Sequence, residues 1–304
     1  MIIGNAVKIM KQYIIITPCK NEEKNLPELV KSVAKQSITP ELWTFVDDGS
    51  TDGTPGIIQD TKNKYKWVEI IALEKKGYRD LTIHISEVMK TGFDCAKNFC
   101  REHDIRYDYI MFLDADMIVE DNKFFEKLIC EFEKNVHLGI AGGLIQYMNA
   151  SGNLHDSQFR SDTVSGGEMM CRRECIEEFG GVPISHAWES VMRVKAILNG
   201  WKVERFNEIK IKHTRETGSA DGLKKGYYQK GATAYYLNLN PLVAFGKGVL
   251  YSFKRPHFIG IAFLMGYFSS WIRRKDKTDD EEIRKYYYQY KIREIFKYYF
   301  YNKV

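Results

Sequence analysis

The sequence predicts an α/β fold: a mostly parallel sheet with helices on both faces, continued at the C-terminus by a helical extension rich in aromatic and basic residues. Three observations predict it. Over roughly the first 120 residues short apolar runs alternate with stretches of helical periodicity, the order that builds a sheet covered by helices. Two of those runs end in carboxylates, Asp47-Asp48 and Asp114-Ala115-Asp116, and open sheets of this type bind ligands beyond the carboxyl ends of their strands. Beyond Pro241 the composition turns aromatic and basic, with Arg273-Arg274-Lys275 ahead of an acidic run from Asp279 to Glu282.

Tyr13 to Ile16 reads as the first strand, stopped by Thr17-Pro18. Asn25 and Glu28 then have the spacing of a capping box, and Leu26, Leu29, Val30 and Val33 fall on one face, which predicts the first helix. Leu42 to Val46 is the second strand and Trp67 to Leu73 the third. The pattern from Leu81 to Arg101 is helical, and Tyr109 to Leu113 is the fourth strand. From Leu138 to Phe206 the segments shorten: apolar pieces near Ile140 and Met169, a helix over Glu189 to Leu198 and a strand at Trp201 to Phe206. They are expected to form a mixed, lid-like layer. No internal repeat and no low-complexity linker interrupts the chain.

Composition excludes several classes. Hydrophobic residues make up 44% of 304, ample for a continuous core and incompatible with disorder as the main state. With 45 basic and 40 acidic residues the net charge is +5, far from that of a dedicated nucleic-acid binder, so no nucleic acid is expected as partner. The six cysteines lack the spacing of a metal knuckle and are read as reduced thiols of a cytoplasmic protein. The N-terminal apolar run is too short for a secretory signal, and no stretch reaches the ~20 apolar residues of a membrane span.

Asp114-Ala115-Asp116 is the metal candidate. In an extended segment the middle residue points away and the flanking carboxylates share one side, which suits Mg²⁺ or Mn²⁺ and phosphate oxygens. Alone, the tripeptide also reads as solvated turn carboxylates. Thr17-Pro18-Cys19-Lys20-Asn21-Glu22 leads from strand to helix, where free amides and the helix dipole can face an anion; it also reads as an ordinary loop. Asp47 to Thr54 equally fits a turn with a helix cap.

At these separations the blocks together resemble the family-two nucleotide-sugar glycosyltransferases with the A-type, Rossmann-like fold. The resemblance runs from Tyr13 to about Gly218 and rests on four blocks: Thr17 to Glu22; Val46 to Thr54; Leu113 to Asp116; and Gly166-Gly167 through Arg172-Arg173, Gly180-Gly181 and Trp188-Glu189 to Gly200-Trp201. It implies a glycosyltransferase domain over 1–220, with a nucleotide-binding half at about 10–120 and an acceptor-binding half at about 121–220, and a helical extension over 221–304. Asp47 matches the acid that binds the base. Thr17, Pro18 and Glu22 match the loop lining the nucleoside, and Arg79 is assigned to the nucleotide. Asp114 would lie near ribose and metal, Asp116 would be the direct metal ligand, and His213 a third ligand to metal or diphosphate. Gly166, Gly167, Trp188 and Arg215 fall on the acceptor side.

Most relatives carry two acidic residues where this chain reads Trp188-Glu189-Ser190. Counting back from Gly200, Glu189 falls where the family has its catalytic aspartate, one methylene longer. The implied reaction is a single inverting displacement: a base takes the proton of an acceptor hydroxyl as it attacks the anomeric carbon opposite the departing diphosphate. The implied donor is a UDP- or GDP-sugar, the cofactor Mn²⁺ or Mg²⁺, and the acceptor a glycan or lipid-linked glycan of the cell envelope.

Two alternatives stay open. Transfer to a polyprenyl phosphate needs no base, and a non-catalytic nucleotide- or carbohydrate-binding module could keep the fold. A nucleotidyltransferase would need a glycine-rich loop after the first strand, and a processive synthase a Gln-x-x-Arg-Trp block and spans; neither is present in this sequence. In the tail, Ile292, Ile295, Phe296, Tyr299 and Phe300 share one helical face beside Lys291, Arg293 and Lys297. This leaves open a core-packing helix, a homodimer contact, and a peripheral contact with the inner face of the cell membrane through the surface of Phe258 to Ile272 and a helix from Ile283 to Phe300.

Overall fold

The computed structural model describes residues 11–74, 83–148, 154–157, 161–214 and 222–290. In order the elements are β1 (Tyr13–Cys19), α1 (Leu26–Val33), β2 (Leu42–Asp47), α2 (Thr54–Lys64), β3 (Val68–Ala72), α3 (Ile83–Glu102), β4 (Tyr109–Leu113), β5 (Met117–Ile118), α4 (Phe124–Lys134), β6 (Leu138–Met148), β7 (Leu154–Asp156) and β8 (Glu168–Arg172). They continue with α5 (Arg173–Glu178), α6 (Trp188–Leu198), β9 (Lys202–His213), α7 (Leu223–Tyr236), α8 (Pro241–Ser252), α9 (Phe258–Ile272), α10 (Glu281–Lys285) and a π-helical turn at Tyr286–Tyr290. By packing the chain divides into two units. The described residues of Met1–Arg79, Glu87–Val182 and Ala196–Thr214 form the first, and those of Asp80–Ser86, Pro183–Lys195 and Arg215–Val304 the second.

The first unit is built on one sheet in the order β3-β2-β1-β4-β8-β6-β9-β5, with β7 on β6. The quartet β3-β2-β1-β4 is parallel, as the alternation of strand and helix requires. Beyond β4 the sheet is mixed. β8 runs antiparallel to β4, pairing Leu113 with Glu168 and Tyr109 with Arg172, and β6 follows with β9 parallel to it. The shorter segments after Leu138 are therefore no separate lid-like layer. Their buried strands satisfy the open edge of β4 and prolong the same sheet.

β1 overruns its expected end because Pro18 sits where no ladder bond is lost. Amides of Glu41 and Asp48 donate to the carbonyls of Tyr13 and Cys19, so odd-numbered residues face β2 and even-numbered ones face β4. Pairing with β4 stops at Ile16, leaving the missing N–H of Pro18 opposite nothing. Leu26, Leu29 and Val33 of α1, Ile58 of α2 and Phe125, Leu128 and Phe132 of α4 close one face over Tyr13, Ile15, Trp43, Phe45, Tyr109 and Met111. On the other face α3 comes so close that a Cβ on Gly92 would lie 2.7 Å from Val46 Cγ2 and 2.9 Å from Ile16 Cγ2.

The expected capping box at α1 is not formed. Asn25 caps the helix without a side-chain bond to its amides. Its Nδ2 instead donates to Glu22 Oε2 at 2.6 Å, and its Oδ1 accepts from Thr214 Oγ1 at 3.1 Å. A tertiary partner has outcompeted the local one.

In the second unit α7, α8 and α9 pack around Ala234, Tyr235, Leu239, Ala244, Phe263 and Tyr267. The start of α6 joins Leu237, Ile283 and Tyr286 in a second cluster, so Ile283 and Tyr286 of the last helical stretch pack into the core, while the face of Ile292 to Phe300 lies outside the described residues. No described helix is long and apolar enough to cross a membrane.

Candidate active site

The carboxyl ends of β2, β1 and β4 lie side by side, so the ends of β2 and β4 stand about 10 Å apart across two strand spacings. At β2, Asp47 Oδ1 accepts from the Ser50 amide at 3.0 Å, a turn that the left-handed Gly49 (φ 66°) permits. Asp47 Oδ2 has no hydrogen-bond partner among the described residues. Asp48 pairs with Lys20 at 2.9 Å. The loops after β1 and β2 are stitched together: the Glu22 amide donates to Thr54 Oγ1 at 2.7 Å, and the Thr51 amide to Asn21 Oδ1 at 2.8 Å. The two sequence blocks thus form one surface at the strand ends.

Thr17 does not contribute its side chain to that surface. It is wholly buried, and its Oγ1 accepts from the Trp43 indole at 2.8 Å. Pro18 is partly exposed at the strand end and Glu22 is buried. Arg79 and Arg215 lie outside the described residues.

After β4 the chain does not stay extended through Asp114-Ala115-Asp116. The Met117 amide donates to the Asp114 carbonyl at 3.2 Å, closing a turn, and β5 then pairs antiparallel with the end of β9, Met117 opposite His213. The Thr214 amide donates to the Asp116 carbonyl at 3.0 Å. The turn, rather than the pleat, brings the carboxylates to one side, and the same ladder delivers His213. One ligand atom from each of Asp114, Asp116 and His213 lies within 4.8 Å of the others, with His213 Nε2 3.5 Å from Asp116 Oδ1. Asp116 and His213 are buried and Asp114 partly exposed.

This donor set fits a divalent cation. Ligands ~2.1 Å from Mg²⁺ lie at most about 4.2 Å from one another, so small side-chain rotations close the cluster. Two carboxylates suit Mg²⁺ and Mn²⁺, and the imidazole tilts the preference towards Mn²⁺. Space for the first carboxylate is reserved by Gly167: a Cβ there would collide with Asp114 Oδ2 and lie 2.7 Å from Asp114 Cγ. Gly167 therefore backs the metal candidate, although the resemblance placed it with the acceptor. Gly166 beside it is buried.

Sequence reading passed over Glu168. It is wholly buried, and its carboxylate accepts from the Gly143 amide at 2.6 Å and the Ser165 amide at 3.4 Å, fixing the backbone that carries Gly167. The contiguous pairs Gly142-Gly143 and Gly166-Gly167 were the available signal, since a Cβ on Gly142 would also strike this carboxylate. Arg172 of the fourth block is structural: its guanidinium donates to the carbonyls of Phe132 at 2.7 Å and Leu138 at 3.0 Å around the end of α4.

In the second unit, Glu189 lies in the first turn of α6 after the buried Trp188. Its charge acts on Lys230 of α7. Desolvation holds the Lys230 amine below its ordinary value, the Glu189 carboxylate pulls it up and Lys254 pushes it down.

Comparison with known proteins agrees with this architecture. The family model described as Glycosyl transferase family 2 matches residues 14–201. A poly-beta-1,6-N-acetyl-D-glucosamine synthase of Staphylococcus epidermidis is 25% identical over 213 residues, 63% of this chain and 46% of that protein, so the chain spans about half the length of this curated relative. Among solved structures, S. aureus TarS 1–349 in complex with UDP-GlcNAc superimposes with a TM-score of 0.57 at 17% identity, over 86% of this chain and 79% of that one. The mannosyltransferase PcManGT of Pyrobaculum calidifontis, in complex with GDP-Man and Mn²⁺, gives 0.55 at 14%, over 84% and 69%. Both likenesses are of fold, the A-type glycosyltransferase fold, and the family follows from the sequence match over more than half of the residues: this chain belongs to glycosyl transferase family 2.

Proposed function

We propose that the chain transfers a sugar, with inversion, from a UDP- or GDP-sugar to a hydroxyl of a cell-surface glycan acceptor, in a metal-dependent reaction. The observation that carries this reading is the cluster of Asp114, Asp116 and His213 beside the carboxyl ends of parallel strands. The nucleotide sugars and the Mn²⁺ held by the two solved neighbours support the donor class and the metal, and the polysaccharide named for the staphylococcal relative supports the acceptor class.

Asp47 Oδ2 accepts a hydrogen bond from the base imide, and the loops after β1 and β2 present backbone to the nucleoside. Asp114, Asp116 and His213 hold Mn²⁺ or Mg²⁺, which when bound offsets the charge growing on the departing diphosphate. Glu189 takes the proton of the attacking hydroxyl. The donor half is assigned to about 10–120, the acceptor half to about 121–220 and the helical extension to 221–304.

One observation favours a second reading, transfer to a polyprenyl phosphate. Lys230 and Lys254 act on each other close to Glu189, an environment that suits an anionic acceptor, for which Glu189 would position rather than deprotonate. The test incubates the purified chain with UDP- and GDP-sugars and either an oligosaccharide or a polyprenyl phosphate, with Mn²⁺ or with chelator. Metal-dependent release of nucleotide with glycosylated oligosaccharide is expected. Transfer to polyprenyl phosphate alone selects the second reading, and turnover indifferent to chelator refutes the metal.

A further inference from the structure

The helices of the second unit bury Tyr235, Phe263 and Tyr267 between them, as a helix interface normally does. Glycines bring them closer still. A Cβ on Gly231 of α7 would collide with the Phe263 carbonyl of α9, one on Gly266 with the Tyr228 carbonyl, one on Gly248 of α8 with Leu264 and one on Gly260 with the Gly248 carbonyl. The backbones therefore touch, as small residues allow between helices in lipid.

A second set of large side chains points the other way. On α8 and just past its end Leu242, Phe245, Val249 and Phe253 recur at i, i+3, i+7 and i+11, opposite the buried Ala244. On α9 Phe258, Ile261, Met265 and Ile272 recur at i, i+3, i+7 and i+14, opposite Ile259, Phe263 and Ser270. Leu242 is 82% exposed, Phe253 77%, Ile261 60% and Ile272 80%. Two parallel apolar stripes on neighbouring helices make one continuous patch of the kind that marks an interaction site.

Charge selects the occupant. From Gly222 to Lys275 the sequence carries nine lysines and arginines and no aspartate or glutamate. The cations bracket α9, with Lys254 and Arg255 before it and Arg273, Arg274 and Lys275 after it. A second copy would set this positively charged segment against itself. An anionic lipid surface complements it, headgroups against the cations at both ends and acyl chains against the stripes. The fifteen residues of α9 extend for about 22 Å, and neither helix is long and apolar enough to cross a membrane, so the pair lies in the plane of the interface.

We propose that α8 and α9 form an in-plane membrane anchor for an anionic leaflet, with Leu242, Phe245, Phe253, Ile261, Met265 and Ile272 inserted below the headgroups. This is independent of the donor and metal chemistry. It rests on the preceding hairpin, which includes the apolar stretch Phe258 to Ile272, and not on the terminal aromatic stretch, where Ile283 and Tyr286 are buried.

The full chain is floated with phosphatidylcholine vesicles and with vesicles containing about one third phosphatidylglycerol, at low and high ionic strength, beside a Phe245→Ser/Ile261→Ser/Met265→Ser variant. The wild-type chain is expected to float with the anionic vesicles, less so at high salt, and the variant to partition more than about tenfold more weakly with its thermal unfolding unchanged. Fluorescence of Trp271, taken as the difference from Trp271→Phe, is expected to be quenched by brominated acyl chains in wild type, a reading that does not need the triple variant to fold. A chain that stays in solution with anionic vesicles, a variant that floats like wild type, or an unquenched Trp271 overturns the anchor. So does a wild-type dimer that the triple variant dissociates, which would make a second copy the occupant. Mn²⁺ and nucleotide binding, measured on the same samples without vesicles, separates failure of the anchor from failure of the proposed activity.

Discussion

His213 stands 3.5 Å from Asp116 although the two are almost a hundred residues apart, because β5, only Met117–Ile118 long, pairs with the last residues of β9 immediately after the Asp114 turn. A two-residue strand would be negligible by itself. Here it joins the motif at the end of β4 to the last residue of β9, and Thr214 continues from β9 to Asn25 at the start of α1 through a 3.1 Å hydrogen bond.

The candidate metal cluster should be sensitive to Gly167 as well as to Asp114, Asp116 and His213. Gly167→Ala should displace the Asp114 carboxylate and weaken Mn²⁺ binding, read by electron paramagnetic resonance, by about tenfold or more, a size typical of changes to groups that orient metal ligands. Asp116→Asn and His213→Ala should weaken it at least as much. Unchanged Mn²⁺ affinity in all three would remove the cation from this cluster.

Glu189→Gln keeps the shape of the side chain but cannot accept a proton. Transfer to a hydroxyl acceptor should fall by roughly 10²- to 10⁴-fold with donor affinity retained. Near-normal transfer would exclude the base role.

Thr17→Val should act on stability and spare the nucleotide. Losing Oγ1 leaves the buried Trp43 indole N–H without its acceptor, a cost of about 1–3 kcal/mol readable from urea denaturation. Nucleotide affinity should be unaltered, since the hydroxyl lies in the core. A loss of affinity at unchanged stability would restore the side chain to the site.

Asp280 caps α10 through the Ile283 amide at 3.1 Å and pairs with Lys195 at 2.8 Å. Burial pushes its carboxyl up, but the bonds from Lys195 and the helix amides prevail and hold it below the usual value. A depressed carboxylate contributes stability above the unfolded-state value of ~3.9 and loses it as pH falls through the folded-state value. Asp280→Ala should cost about 1 kcal/mol at neutral pH, and the gap to wild type should narrow as pH drops below about 4. A gap independent of pH would show that the charge of Asp280 is not involved.

Local pattern in this sequence carries the cores of the elements and little of their closure. The bounds of Tyr109–Leu113 are those its apolar run predicts, because such a pattern depends only on neighbours along the chain. The carboxylates Asp47, Asp114 and Asp116 are legible in the same way, as charges at the ends of buried runs. Tertiary structure alone decided the rest. It turned Thr17 towards Trp43, drew Asn25 away from its helix to Glu22 and Thr214, folded Asp114-Ala115-Asp116 into a turn and joined β8, β6 and β9 to the sheet. It also put Gly231, Gly248, Gly260 and Gly266 at helix contacts and left Leu242, Phe245, Ile261 and Met265 outside, a partition that composition cannot distinguish from its reverse. The common physical reason is that a partner distant in sequence, as Trp43 is for Thr17 and Thr214 for Asn25, is brought within reach only by the folded chain and then competes with the local bond.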